Sequence, residues 1–335
     1  MTSFYDAVDL LAKPRILVVG DVVLDEYLFG VPTRLSREAP IPVLEFERRS
    51  CIPGGAANPA HNIAALGASA TLAAVVGDDA EGRQLVELLR QAGVDPGCII
   101  TDPTRPTTVK TRIVSEGSLR FPQQIARIDR ISRAPVQPRL VASLGALIGR
   151  FAEDVDAILC SDYLSGLLTP ELVATIKETC REHDLLLTVD AQGDLQKYRG
   201  ATLLRCNNQE AEAFLGKRLE SEADFAAGIA QMLDGLDVNL AIVTRGADGV
   251  SLAGHALPYT HLPACRVEVA DVTGAGDTFI AVTTLALASG LAAIEAASLA
   301  NTAASLVVRR IGNAVVTRDE LREAVAEQEL SESSR

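Results

Sequence analysis

Two glycines set directly ahead of a long apolar run constrain this chain more than any other stretch. Asp271-Val-Thr-Gly-Ala-Gly-Asp277-Thr-Phe279 leads into Ile280-Ala-Val-Thr-Thr-Leu-Ala-Leu-Ala-Ser-Gly290, which predicts a helix over 276–289 reached through a tight turn. Gly274 and Gly276 permit positive φ and remove the Cβ atoms that would keep a ligand off the backbone. The first-turn N–H groups of such a helix have no intrahelical acceptor. With the positive end of the helix dipole they make Gly274, Ala275 and Gly276 an anion hole suited to phosphate. Asp277 stands at its rim and has two readings. It caps the helix, or it is a general base that takes a proton from an acceptor hydroxyl while the backbone holds the charge of a phosphoryl group in transfer. The motif alone leaves both open.

Composition frames that stretch. At 335 residues and 48% hydrophobic, the chain can bury a large core and suits one α/β domain with an appendage. Lys and Arg total 31 against 44 Asp and Glu, a net charge of −13. Nucleic acid and anionic membrane surfaces need a basic field and are poor partners. An anionic sugar phosphate would have to be held by a local basic cluster. The cysteines (Cys51, Cys98, Cys160, Cys180, Cys206, Cys265) show no C-x-x-C spacing, which fits a reduced cytoplasmic setting better than a disulfide or zinc framework. The four histidines have no metal or triad spacing, which argues against a hydrolase. The first 14 residues carry Asp6 and Asp9 and no long apolar region, so no signal peptide is expected. Nor is a membrane span, for want of a run of about 18 apolar residues.

Along the chain, short apolar runs bounded by glycine and polar residues alternate with helical patterns. Strands are predicted at 15–20, 70–76, 157–160, 185–189, 201–204, 240–244 and 249–252. Helices are predicted at 57–66, 80–92, 137–151, 169–182, 208–215, 221–234, 276–289, 293–308 and 318–328. The pattern is that of a doubly wound α/β domain with a mostly parallel sheet, whose ligands sit beyond the carboxyl ends of the strands. Two polar-faced segments, about 28–52 and 105–131, alternate like exposed strands instead, the second with a turn around Glu116–Gly117. They are expected to form one small sheet, a lid over the site. The whole of 1–335 is read as a single domain, with 329–335 as a disordered tail and no fused nucleotidyltransferase.

Several residues fall where chemistry would be. Asp21 and Asp25, after the first strand, can accept sugar hydroxyls or cap a turn. Asp162, Asp190, Asn207 and Thr244 also fall at strand ends. Lys110, Arg112, Arg127 and Arg130 place positive charge on the lid strands, as solubilising side chains or as ligands of a substrate phosphate, with Arg34 and Glu38 on the other lid segment. Asn207-Asn208-Gln209-Glu210 is a capping-box pattern, and its Glu can also organise the waters of Mg²⁺. No G-x-G-x-x-G follows the first strand, which argues against a nicotinamide-dependent dehydrogenase.

Asp271–Phe279, together with Gly54-Gly55-Ala-Ala-Asn58, resembles the ribokinase (PfkB) family of sugar kinases, from about Ile16 to Leu321. Within it, four segments are most similar to the kinases of heptose 7-phosphate in the ADP-heptose pathway: Val18–Asp25, Arg34–Val43, Tyr198–Leu204 and His261–Pro263. The resemblance implies an ATP- and Mg²⁺-dependent carbohydrate kinase of ribokinase-like fold, with a monovalent cation as an open addition. It also implies a homodimer formed through the lid. It makes Asp277 the base, places Gly54, Gly55 and Asn58 in the sugar pocket, and makes Glu210 the Mg²⁺ ligand through water. Asn207, Thr244, Gly246, Gly249 and Thr273 would meet the nucleotide phosphates, with Asn301 and Gly312 on the base side. The heptose-kinase pattern usually carries a Lys in D-Y-x-K-G and another in D-P-K-G, where this chain has Ser165 and Gln192. Another sugar, or a silent sugar or nucleotide sensor, are the alternatives this departure raises.

Overall fold

The computed structural model describes residues 4–117 and 122–333. Helix α1 (Phe4–Leu10) leads into β1 (Arg15–Gly20), and β2 (Val22–Leu35) and β3 (Pro42–Gly55) form a long antiparallel hairpin. Next come α2 (Ala57–Ala65), β4 (Ser69–Gly77), α3 (Ala80–Gln91) and β5 (Asp95–Asp102). A second hairpin follows, β6 (Val109–Ser115) and β7 (Gln123–Arg130). Then the alternation resumes through α4 (Pro138–Ala152), β8 (Ala157–Ser161), α5 (Pro170–Glu182), β9 (Leu186–Asp190) and β10 (Leu203–Asn207). Helices α6 (Asn208–Leu215) and α7 (Glu222–Leu236) precede β11 (Leu240–Thr244), β12 (Val250–Gly254) and β13 (Leu257–Leu262). Three helices follow, α8 (Ala275–Ala288), α9 (Ala293–Val307) and α10 (Arg318–Ser333).

Nine strands make the main sheet in the order β13-β12-β11-β10-β9-β8-β1-β4-β5, parallel except for the antiparallel pair β12 and β13 at one edge. Helices cover both faces, which is why β1 reads as an unbroken apolar run: Ile16 and Val18 face one core, Leu17 and Val19 the other. The first core takes α1, α2, α3, α8, α9 and α10, and the second takes α4, α5 and α7. Helix α8 is apolar on nearly every side because it lies between the sheet, α2 and α9, with Phe279 through Ala286 all buried.

The small sheet has the order β3-β2-β6-β7, with β2 and β6 parallel. It begins at Val22 and returns at Gly55, beyond both bounds of the 28–52 segment read from the sequence, so it grows directly from the carboxyl end of β1. Asp25 and Gly54 therefore lie on its root. Residues 118–121 of the turn joining β6 and β7 lie outside the described residues. Two edge strands escape the sequence pattern: β5 contains Pro96 and Gly97, and β13 contains Pro258, which edge positions tolerate. The strand expected at 201–204 sits at Leu203–Asn207, bringing Arg205 and Asn207 to the carboxyl edge. The tail expected from 329 is instead helical as far as Ser333.

Candidate active site

The carboxyl ends of β1, β8, β9, β10 and β11 converge beneath the first turn of α8. Gly274 caps that helix at φ +80°, a conformation that favours glycine. A Cβ there would also stand 2.7 Å from Asn58 Nδ2. Ala275 N–H closes onto the Val272 carbonyl and Thr278 N–H onto that of Gly274. Among the described residues the amides of Gly276 and Asp277 meet no protein acceptor, the arrangement an anion hole requires.

Asp277 is 5% exposed. Its Oδ2 accepts from Asn58 Nδ2 at 2.8 Å and its Oδ1 from the Tyr163 hydroxyl at 2.6 Å. Burial and the nearby Asp190 push its pKa up to about 7; Tyr163, Asn58 and Arg205 hold it down against them. A carboxylate poised near neutrality is what general-base chemistry needs. The cap reading fails on geometry: both oxygens serve side chains, and Gly274 holds the cap position.

Asp21 gathers backbone donors around it. Its oxygens accept the backbone N–H groups of Tyr163, Ser165 and Leu167 at 3.1, 2.9 and 3.1 Å, wrapping the 162–167 loop around one buried carboxylate. Leu164 turns that loop at φ +55°, and the result aims Tyr163 at Asp277. Asp162 is likewise a brace. It accepts from Leu164 N, from the Tyr198 hydroxyl and from Lys197 Nζ.

Asp25 lies at the root of the small sheet, between Arg112 and Asn313. Only 3% exposed, it is held by the Arg112 guanidinium and by Asn313 Nδ2. A Cβ on Gly54 would fall 1.9 Å from its Oδ2 and 3.0 Å from Asn313 Nδ2, so that glycine is a close-approach position. Burial works against the charge on Arg112, but Asp25 outweighs it and raises its pKa. Gly55, at φ +58°, packs on the Asp21 carbonyl, where a Cβ would lie 2.3 Å away. Lys110 shares the Asp25 face of the sheet and brings its ammonium 5.3 Å above the Tyr163 ring.

Toward the other side, Asp190, Arg205 and Thr244 line up on β9, β10 and β11, with the guanidinium bonded to Asp190 Oδ1 at 2.6 Å and to Thr244 Oγ at 2.7 Å. Asn207 and Glu210 form a full capping box on α6 (2.7 and 3.0 Å), and burial raises the Glu210 carboxyl while the Asn207 amide opposes it. Asn208 keeps a buried Oδ1 without a partner, and Gln209 is exposed. Among the described residues no group of three metal-ligating side chains converges.

The pattern describing the pfkB family carbohydrate kinases matches residues 13–319. The chain belongs to this family. Its members transfer phosphoryl groups to sugars. The chain is 41% identical to the bifunctional protein HldE of Geobacter metallireducens over 91% of its own length and 61% of that protein's. It is 38% identical to the same-named protein of Helicobacter pylori over 92% and 65%. It thus spans just under two thirds of these relatives. Phosphofructokinase-2 of Escherichia coli in complex with substrates and products superposes with a TM-score of 0.77 at 20% identity, covering 93% of this chain and 99% of that one. Arabidopsis thaliana ribokinase complexed with ribose and ATP gives 0.72 at 18%, with the same coverage. These likenesses establish the ribokinase-like fold.

For this pfkB-family chain, the structure gathers Asp277, Gly274–Gly276, Asn58, Gly54, Asp25 and Thr244 into one region. Thr273 stands beside it, both its N–H and Oγ on Asp271 Oδ1. Gly312 lies against the Tyr27 hydroxyl and donates its N–H to Asp271. Asn301 anchors the Pro263 carbonyl at 2.8 Å, and Gly249, at φ +88°, packs on the same 262–264 segment. Gly246 (φ +61°) turns the exposed loop after β11. Arg127 pairs with Asp129 on its own exposed strand. Arg130 turns to Asp79 and Glu81 on the opposite face and leaves the candidate set. Arg34 and Glu38 are on the exposed far end of the first hairpin. Tyr163, Arg205, Asn313 and Lys197 were not singled out by the sequence. The 162–167 loop and the register of β10 make Tyr163 and Arg205 visible, and contacts to Asp25 and Asp162 do so for Asn313 and Lys197.

Proposed function

We propose that this chain transfers the γ-phosphoryl group of ATP to a hydroxyl of a sugar or sugar phosphate, with heptose 7-phosphate phosphorylated at its 1-hydroxyl as the acceptor of choice. The observation that carries the reaction type is the buried Asp277 carboxylate, raised to about 7, at the mouth of the amides of Gly274–Gly276. The acceptor O–H gives its proton to Asp277 as its oxygen bonds the γ-phosphorus. The bond from that phosphorus to the β-phosphate oxygen breaks, and ADP leaves. Positioning and charge stabilisation supply most of the rate in such transfers. Tyr163 and Asn58 fix the carboxylate, and an incoming hydroxyl takes the place of one of these donors.

Asp25, Asn313 and Gly54 hold the sugar ring, with Lys110 and Arg112 closest to a phosphate on it and Arg127 farther out. Glu210 is the residue to hold waters of Mg²⁺, which when bound offsets the charge of the triphosphate. The small sheet acts as a lid. Its exposed Phe46, Ile125 and Ile128 favour pairing with a second copy of the chain. The heptose preference rests on the resemblance of its segments to heptose-phosphate kinases and on the identity to HldE over nearly the whole chain.

The test is coupled-assay turnover of MgATP against a panel of free sugars and sugar phosphates, heptose 7-phosphate included. Selective turnover of the heptose phosphate is expected. Activity on another sugar moves the substrate and keeps the mechanism. Silence across the panel favours a ligand sensor, the reading that Ser165 and Gln192 in place of lysines would support.

A further inference from the structure

Both hairpins of the small sheet grip the loop that carries Tyr163. Residues 162–167 turn through Leu164 at φ +55° and Gly166 at φ +91°, and the Tyr163 hydroxyl donates to Asp277 at 2.6 Å. The first hairpin holds the loop through Asp21, the residue before β2, which accepts three of its backbone N–H groups. The second holds it through Arg105, which lies between β5 and β6. Arg105 Nη2 donates to the carbonyls of Ser132 and Ala134 at 3.3 and 2.9 Å, just after β7. It also donates to the Ser165 carbonyl at 2.8 Å.

One guanidinium thus ties together the chain entering the second hairpin, the chain leaving it and the 162–167 loop. These three partners are backbone carbonyls, and a planar charged donor holds such acceptors in a fixed geometry. Gly166 closes the same seam. Its carbonyl accepts from Val136 N–H at 2.9 Å, and a Cβ on it would lie 2.3 Å from the Ala134 oxygen. Asp21, Arg105, Thr108 and Ser165 border a cavity of about 20 Å³, so polar bonds rather than close packing set the geometry here.

We propose that Arg105 is a positioning residue for phosphoryl transfer: it couples the small sheet to Asp277 by fixing the 162–167 loop and, through it, the Tyr163 hydroxyl on the carboxylate. This rests on the reading of Asp277 as the base. Among the described residues, the titratable or charged groups set against Asp277 are Asp190 on β9, Arg205 on β10 and Tyr163 on the loop. Burial and Asp190 raise its pKa, and the Tyr163 bond leads the contacts that oppose them. Loosening that bond moves the carboxyl further up.

The test follows Asp277 in the free enzyme in two ways. One is the acid limb of kcat/KM; the other is the carboxyl NMR titration of Asp277, assigned by its absence in Asp277→Asn. Arg105→Met and Tyr163→Phe should each raise both midpoints by about 0.5 to 1 pH unit, the effect of losing one hydrogen bond. At about pH 6 that lowers kcat/KM by about 3- to 10-fold, while at about pH 9 it stays within about twofold. The double variant should shift no further than Tyr163→Phe alone, because both changes remove the same bond. A midpoint that stays within about 0.2 unit of wild type in Arg105→Met overturns the proposal and leaves Arg105 a brace of the hairpin. So does a double variant whose shift is the sum of the two single ones. If Arg105→Met fails to fold, Arg105→Lys decides: it keeps the charge without the fork, and its midpoint should still rise, an unmoved one overturning the proposal. Turnover that survives in Asp277→Asn defeats the base reading alone, since the carboxyl titration still reports whether Arg105 sets Tyr163 on Asp277.

Discussion

The two halves of the site are built on opposite principles. At the transfer end, Asp277, Asp190, Arg205, Thr244 and Asn58 come from strand ends and helix first turns of the main fold, each clamped by its neighbours and mostly buried. On the small sheet, Lys110, Arg127 and Arg34 are long side chains on strands open to solvent, and β7 is exposed at every position. The first arrangement fixes charge where a transition state needs it. Asp25, at the root of the small sheet, is where the two halves meet.

Asp277→Asn is the strongest way to break the comparison. It should lower kcat by about 10²–10⁴ while ATP and sugar still bind. Near-wild-type turnover would remove Asp277 as base. Because the folded carboxyl has its pKa raised to about 7, its protonated form is favoured by folding. That contribution to stability is full below the unfolded pKa and is lost as pH rises through about 7. Asp277→Asn should therefore melt at a higher temperature than wild type at pH 8, and a lower one would contradict the burial argument.

Next in size is Asp25→Asn, expected to raise the sugar KM by about tenfold or more with a smaller effect on kcat, since a sugar hydroxyl would lose a charged acceptor. Equal losses in kcat and kcat/KM would instead place Asp25 at the transfer step. The pH profile sharpens the contrast further. The acid limb of kcat/KM should fall near pH 7, since only the ionised base accepts a proton. Asp190→Asn should shift it downward and Arg205→Gln upward, as the first removes a charge that raises the Asp277 pKa and the second one that lowers it. A limb that stays put in both would detach these residues from the base.

The smallest effects belong to the outer sheet. Lys110→Ala should raise KM for a sugar phosphate by about tenfold and leave an unphosphorylated sugar unchanged. Arg127→Ala, already paired to Asp129 in the open, should move either by less than about threefold. A larger effect of Arg127 would mean that the lid closes further than the described geometry.

Much of this was legible in the residues. Periodicity of two and 3.6 reveals parallel strands and covering helices wherever a face is buried, and G-A-G-D before an apolar run marks an anion hole whatever surrounds it. Edge strands such as β5 and β13 escaped because they carry proline and answer to neighbours on one side only. The partners of Asp21 and Asp162 were not legible because a carboxylate at a strand end is ambiguous. Which groups its oxygens meet depends on loops distant in sequence.

The chain by itself determined the layered α/β architecture, the acidic charge, the family and the glycine-flanked turn that carries Asp277, because these depend on local pattern and spacing. Only the tertiary structure decided that Asp25 meets Arg112 and Asn313 while Asp21 holds a loop. The same is true of Tyr163 on Asp277 and of Arg205 beneath the amides of α8. Those outcomes depend on strand register and on buried polar groups finding partners hundreds of residues away, which no local pattern encodes.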